Sequence, residues 1–372
     1  MAIPTPETTG NPVGDGTTAD YVPDVTDAGS GSGALDFAAL SSRSQVLRLR
    51  QVAFDALAHY PVDVARLRLV FHGHNTTFRV DTSEGISFAL RINVGSNSTA
   101  ANLDAETAWL AALARDTDLA VPEPQPTIDG RLHTTVGNGL LGREFPVVLM
   151  SWLPGRNLDD RAPRALAAMG RLTAVLHDHA GGWSPPAGSG FPLHRDVLVD
   201  DERHLDDDHP LLTDELRDVF DATYADTQGR LDELWVGQTA RPIHADLHPG
   251  NLKWRHGRLA VFDFDDALMG IPVQDLGITA YYLGAGEHGT DLDAMFAGYE
   301  EVGRLPAFTD RQLAAIQAGR NLLLVNEMLG AVNADLVRIL PVYLANARRK
   351  LVAYLETGRY RHDVPGIVPI PW

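Results

Sequence analysis

From Ser42 to Tyr60 the apolar residues Val46, Leu49, Val52, Ala53, Ala56 and Leu57 recur at the spacing of one helix face. The period then shortens. Leu67–Phe71, Phe78–Asp81 and Ser87–Ile92 read as three short strands, punctuated by Gly73 and Gly85. Residues 101–115 return to helical spacing, Gly130-Arg131 reads as a hairpin turn, and Pro146–Trp152 as an apolar strand. These elements predict a small, mostly antiparallel, β-rich N-lobe over residues 41–153. After Leu153-Pro154-Gly155 the character changes. Helices are predicted from Ala162 to His177, with Pro163 where a missing N–H costs nothing, and at 211–235, 275–284, 290–303 and 310–356. Thr309 and Gln312 form a capping box for one of them. A Gly-, Pro- and Asp-rich stretch at 180–210 reads as a long insertion, and 241–265 as a loop with two strands. Residues 154–372 are thus expected to form a larger helical C-lobe. The fold class is α+β, with two lobes and a cleft at their junction, where nucleotide sites commonly lie. Residues 1–40, which include Asp27–Gly33 (DAGSGSG), bury too little apolar surface to offset ordering entropy and are expected to be disordered.

Composition narrows the chemistry. The 372 residues include no cysteine, which excludes disulfides, thiolate metal sites and cysteine nucleophiles and fits a cytoplasmic protein. No apolar run is long enough to span a membrane, and no secretory signal precedes the folded part. The formal net charge of −18 repels nucleic acid and anionic membrane. Lys253 and Lys350 are the only lysines. A high-salt cytoplasm and a GC-rich genome both produce such an acidic, lysine-poor chain. Either way, a phosphate-contacting cation in the N-terminal half must be arginine or histidine.

The densest chemistry lies at 243–265. Asp246 and Asn251 stand in a loop with Pro249 and Gly250, and a loop can curl two oxygen-bearing side chains toward one point. A turn at His256-Gly257 leads to an alternating strand, Leu259–Phe264. If the strand persists, Asp263 and Asp265 share a face while Phe262 and Phe264 face a core. Three carboxylates and an amide around a short hairpin make a hard-cation site of the kind magnesium takes, with room for phosphate oxygens. Phosphoryl transfer needs such an ion, and a group that positions the attacking hydroxyl. An ordinary turn with Asx-type caps is the plain alternative for any one of these residues, but not for the whole set in this order.

The string His244-x-Asp246-x-x-x-x-Asn251, followed by Asp263-Phe264-Asp265, resembles the catalytic loop and metal aspartate of the protein-kinase-like fold. The wording HADLHPGN then VFDFDDA resembles the aminoglycoside phosphotransferase and choline/homoserine kinase branch. The resemblance covers residues 65–345. It implies a kinase using ATP and Mg2+ to phosphorylate a hydroxyl of a small molecule of aminoglycoside, amino alcohol, homoserine or sugar type. By the same resemblance Asp246 is the catalytic base, His244 braces the loop, Asn251 and Asp263 hold Mg2+ with Asp265 assisting, and Asp275 is structural.

Three further parts follow for the N-lobe. The phosphate loop is expected at Phe71–Val80, where Gly73, His74 and Asn75 supply turn geometry and backbone N–H groups. The strand cation is Arg91, standing where kinases place lysine. Its partner is Glu106, which lies on the apolar stripe of its helix with Leu103, Leu110 and Leu113. An inward carboxylate needs a cation, and a purely structural ion pair is the alternative reading. Backbone groups of Met150, Ser151 and Trp152 are expected to meet the adenine edge. Acceptor candidates are Asp266, Glu287, His288, Asp291, Asp293, Asn321 and Glu327. The His177/His179 pair reads as helix-end residues. The competing functions are a serine/threonine protein kinase, against which stands the lack of an A-P-E segment, and a non-catalytic nucleotide-binding scaffold. The identity of the acceptor, ATP against GTP, and the oligomeric state stay open at this level.

Overall fold

A computed structural model describes residues 37, 39–73, 75–95, 99–158, 162–199, 202–255, 257–284, 292–331 and 334–370. Nearly all of the expected disordered segment 1–40 lies outside them, as do His74, His256, Glu287, His288 and Asp291. Helix α1 (Ser42–Leu57) is capped by the Ser41 hydroxyl and buries Leu49, Val52, Ala53, Ala56 and Leu57. Strands β1 (Val64–His72), β2 (Asn75–Thr82) and β3 (Ser87–Asn93) follow, then α2 (Ala100–Asp116), β4 (Thr134–Asn138) and β5 (Arg143–Ser151). The five strands form one antiparallel sheet in the order β1-β2-β3-β5-β4. Phe78, Val80, Leu90, Ile92, Phe145 and Leu149 pack with the apolar face of α1.

The turn expected at Gly130 forms, with Gly130 N–H on Thr127 O, Thr127 N–H on Arg131 O and φ +84° at Gly130, but it joins no two strands of the sheet. Pro122, Pro124 and Pro126 alternate just before it, so the segment lacks the donors of a full strand. The hairpin forms between β4 and β5 instead, closed by Leu141 N–H on Asn138 O and by Gly142 at φ +59°.

Beyond β6 (Arg156–Asn157) come α3 (Pro163–Gly182), α4 (Asp214–Trp235), β7 (Arg241–Ile243), β8 (Leu252–Arg255), β9 (Arg258–Val261) and β10 (Leu268–Gly270). Helices α5 (Pro272–Leu283), α6 (Asp293–Glu300), α7 (Asp310–Leu329) and α8 (Ala334–Thr357) complete the chain. Two small sheets, β6-β8-β9 and β10-β7, flank the loop between β7 and β8. The helical run expected over 310–356 breaks at Gly330, where a Cβ would meet the His204 ring. Residues 180–210, expected as a long insertion, pack onto the body: Phe191 meets Trp109, and Val197 and Leu198 are buried. Helices α3 and α6 cross backbone to backbone, since a Cβ on Gly170 would stand 1.9 Å from Met295 O and one on Gly298 2.1 Å from Ala167 O. That contact fixes α3 and hence His177. Among the described residues no helix is long and apolar enough to cross a membrane.

Candidate active site

The loop after β7 is shaped by one buried carboxylate. Asp275, in the first turn of α5, accepts the N–H groups of His244 at 2.9 Å and Ala245 at 2.6 Å. Ala245 has φ +61°, a left-handed conformation that costs a non-glycine residue about 1 kcal/mol and that these bonds offset. Asp275 also receives His177 Nε2 at 3.0 Å, and His177 Nδ1 pairs with Tyr299 OH at 3.0 Å. His177 is therefore a buried prop of the loop, not simply a helix-end residue, because α3 runs on to Gly182. Burial works against the Asp275 charge, but the His177 bond and the loop amides outweigh it and its pKa lies below the usual range.

His244 lies within the loop with Nε2 donating to Phe262 O at 3.2 Å and its ring 4.6 Å from that of Phe264. Phe264 in turn meets Trp109 of α2, edge to face. The strand stops at Val261, and Asp263 turns left-handed at φ +69°. Strand alternation therefore does not carry Asp263 and Asp265 to one face. The turn does: their carboxyl groups are in hydrogen-bond contact. Although Asp263 has surface open to solvent, desolvation and then the Asp265 charge push its carboxyl well above the usual range. Desolvation also opposes the Asp265 charge, but Arg91 outweighs it and holds Asp265 low. Asp266, next along, keeps surface open to solvent, yet desolvation and then the Asp265 charge push it up to about 7.

Asp246 is 4 % exposed and accepts hydrogen bonds on both oxygens. Oδ1 receives Arg320 Nη2 at 2.7 Å and Tyr282 OH at 2.8 Å. Oδ2 receives Asn251 Nδ2 at 3.1 Å, and His248 Nε2 lies 3.4 Å away. Burial raises the Asp246 pKa, but the positive charges around it, the His248 contact and the Arg320 guanidinium among them, more than reverse it, so the carboxylate stays ionised. Asn251 also donates to Asp246 O at 3.0 Å, which commits its Nδ2 to Asp246.

On the sheet side Arg91 and Glu106 form a bidentate pair at 2.8 and 2.6 Å, each 3 % exposed. Arg91 Nε adds Asn93 Oδ1 at 3.1 Å. Desolvation disfavours the guanidinium, but Glu106 outweighs it and keeps it firmly charged. Gly73 N–H bonds Asn75 O, and a Cβ at Gly73 would strike the Phe71 ring. Asn75 Nδ2 donates to Asp265 Oδ2, joining the phosphate-loop segment to the metal segment. Met150 is buried in β5. The N–H of Ser151 bonds Glu123 O and that of Trp152 bonds Ser87 O. Trp152 lies between Arg79 and Lys253, and Lys253 Nζ bonds Leu153 O at 3.1 Å.

Among the acceptor candidates, Asp266 and Asp293 are exposed. Asn321 is 2 % exposed with Nδ2 on Tyr281 OH, which makes it part of the helical core. The residues that sequence reading missed are Arg320, Tyr282, His248 and His177. His248 lies inside the quoted motif and could have been found from it. The others lie 36 to 98 residues from their partners, and no spacing announces them.

A family model described as the phosphotransferase enzyme family matches residues 70–315. The chain belongs to that family. It is 25 % identical to the amicoumacin kinase of Bacillus subtilis (strain 168) over 241 residues, 64 % of this chain and 69 % of the relative. A solved microcompartment-associated aminopropanol kinase, also 25 % identical, superposes with a TM-score of 0.69 over 84 % of this chain and 99 % of its own. The amicoumacin kinase hAmiN, solved with AMP-PNP, Ca2+ and Ami, shares the fold at 18 % identity with a TM-score of 0.63, over 83 % of this chain and 96 % of its own. This phosphotransferase is thus a small-molecule kinase of protein-kinase-like fold, moving a phosphoryl group to a hydroxyl.

Proposed function

We propose that this phosphotransferase takes the γ-phosphoryl group of ATP, with Mg2+, to the hydroxyl of an amino alcohol or a related amine-bearing small molecule. The observation that carries the reading is Asp246, an ionised carboxylate at the end of a braced loop, with Asn251 beside it and the Asp263/Asp265 pair following.

The residues present fit a divalent cation. Asp263 and Asp265 crowd two carboxyls into contact, a repulsion that a cation relieves. Asn251 Oδ1 remains as a neutral oxygen donor. Among the described residues no three His, Asp or Glu gather into a cage, which suits magnesium, bound by one or two carboxylates plus water and phosphate. Asn251, Asp263 and Asp265 would hold the ion. Bound there, it supplies charge neutralisation for the transferring group. Arg91, fixed by Glu106, lends positive charge to the phosphates. Asp246 accepts a hydrogen bond from the acceptor hydroxyl, aims its lone pair and takes its proton. Glu327 and, in its ionised fraction, Asp266 bring negative charge near Arg320, which favours an amine-bearing acceptor. The aminopropanol kinase and amicoumacin kinase likenesses point the same way.

The test is Mg2+-dependent ADP release from ATP with a panel of acceptors: amino alcohols, aminoglycosides, homoserine, choline, sugars and a basic protein. Release stimulated by an amino alcohol and lost in Asp246→Asn supports the reading. Stimulation by uncharged sugars alone overturns the acceptor class. Phosphorylation of the protein alone overturns small-molecule acceptance.

A further inference from the structure

The four contacts on Asp246 are unequal, and the inequality singles out one oxygen. A carboxylate offers about two lone-pair sites on each oxygen. Oδ1 fills both with short bonds, from Arg320 at 2.7 Å and Tyr282 at 2.8 Å. Both donors are anchored behind it, since Arg320 Nε also donates to Tyr282 OH at 3.1 Å. Tyr282 is buried, which pushes its phenol well above the usual range and keeps it a donor. Oδ2 holds one ordinary bond, from Asn251 at 3.1 Å. Its second neighbour, His248 Nε2, stands at 3.4 Å, beyond the usual N–H···O range.

The His248 tautomer is legible from its other side. Nδ1 accepts the Gly250 N–H at 2.9 Å, so in the neutral ring the proton is on Nε2, the nitrogen facing Asp246. The ring is held in that orientation by the Tyr282 ring at 4.9 Å. A free acceptor site on Oδ2 and a directed N–H therefore lie side by side. Together they match a hydroxyl, which donates one proton and accepts through its lone pairs.

We propose that His248 is a positioning residue for the acceptor: its Nε2–H donates to the acceptor hydroxyl while that hydroxyl donates to Asp246 Oδ2. The proposal rests on reading Asp246 as the base. The hydroxyl sits beside the long Nε2···Oδ2 contact, with one lone pair on His248 and the other aimed at the γ-phosphorus. The oxygen–phosphorus bond forms as the bond from phosphorus to the β,γ-bridging oxygen breaks. The electron pair leaves with the nucleoside diphosphate, and the hydroxyl proton passes to Oδ2. Arg320 and Tyr282 make the base one-sided, so the proton has one oxygen to go to.

The experiment compares His248→Phe, which keeps a ring against Tyr282 but no N–H, with His248→Gln, whose amide N–H can stand near Nε2. Asp246→Asn runs beside them. Steady-state kcat and acceptor KM are measured with the acceptor that stimulates the wild type, and nucleotide affinity is measured by calorimetry. His248→Phe is expected to lower kcat roughly 100-fold with nucleotide affinity within about twofold, and His248→Gln to recover about a tenth or more of the wild-type rate. Wild-type kcat and KM in His248→Phe, with Asp246→Asn inactive, overturn the role of His248 and spare the base. Equal loss of folding or nucleotide binding in both His248 variants also overturns it, making the residue a cap of the loop. Activity retained by Asp246→Asn overturns the underlying base reading instead.

Discussion

Two arginines in this kinase are buried against carboxylates, one on each side of the interlobe contact. Arg91 and Glu106 spend themselves on each other: two parallel bonds, a third to Asn93, and both side chains shut from water. Arg320 meets Asp246 through one nitrogen and covers one oxygen, leaving the other half-engaged. Burial and charge are alike in the two pairs, and the coordination left over differs. A closed pair fixes geometry and lends a field. A pair with one open oxygen can exchange a proton with a ligand. The closed pair should therefore fail through stability and nucleotide affinity, and the open pair through turnover.

The largest effect is expected at the open pair. Asp246→Asn should cut kcat about 1,000-fold with nucleotide affinity nearly unchanged, measured by ADP release and by calorimetry. A comparable fall in nucleotide affinity would erase the contrast between the pairs.

The closed pair comes next. Glu106→Gln strands a buried guanidinium and should cost about 3–5 kcal/mol of unfolding free energy by denaturant titration. Arg91→Met with Glu106→Leu should regain most of that stability, since apolar groups often replace a buried pair without loss. Nucleotide affinity should stay depressed in the double variant. Recovery of affinity together with stability would make the pair purely structural.

A third test concerns the neighbour of Arg320. His194 is 7 % exposed, its Nδ1 is buried without a partner, and desolvation and then the Arg320 charge push its pKa down from 6.5 to about 4. Asp275 and Asp196 act in the opposite sense and are outweighed. The native state keeps His194 neutral, while the unfolded chain takes a proton below pH 6.5. Stability from this residue is thus complete above 6.5 and lost between 6.5 and about 4, by roughly 3 kcal/mol in all. Melting temperature followed over that window should fall more steeply in the wild type than in His194→Gln. Parallel curves would mean that burial and the Arg320 charge do not hold His194 neutral in the native state.

These contrasts also explain what could be read in advance. The helix face Leu49–Leu57, the Arg91–Glu106 partnership and the motif from His244 to Asp265 are local patterns, and each appears where its spacing placed it. Asp263 and Asp265 are brought together by a left-handed residue, not by the strand alternation their spacing suggests. Backbone sign is not written in a two-residue period. The N–H groups of Ser151 and Trp152 are taken by Glu123 and Ser87, which lie on segments whose approach no motif encodes. Arg320 is not legible in the sequence because α7 reads as a largely apolar run, and one cation within it acquires meaning only when α5 and the loop arrive beside it.

The smallest expected effect concerns the bond that joins the two regions. Asn75, at the start of β2, donates through Nδ2 to Asp265, while its own Oδ1 is buried and unpartnered. One side chain thereby ties the phosphate-loop strand to the carboxylates that would hold the metal. The bond needs Asp265 ionised, and Arg91 favours that state. A bound cation favours it further, so the tie should tighten when metal and nucleotide are present together. Asn75→Ala should weaken nucleotide binding roughly tenfold when Mg2+ is present, the scale of one hydrogen bond to a charged group, and change it little in chelator. Calorimetry under the two conditions measures the difference directly. Equal loss in both would make Asn75 a turn residue of its own strand, and the closed and open arginine pairs would then lack this side-chain link between them.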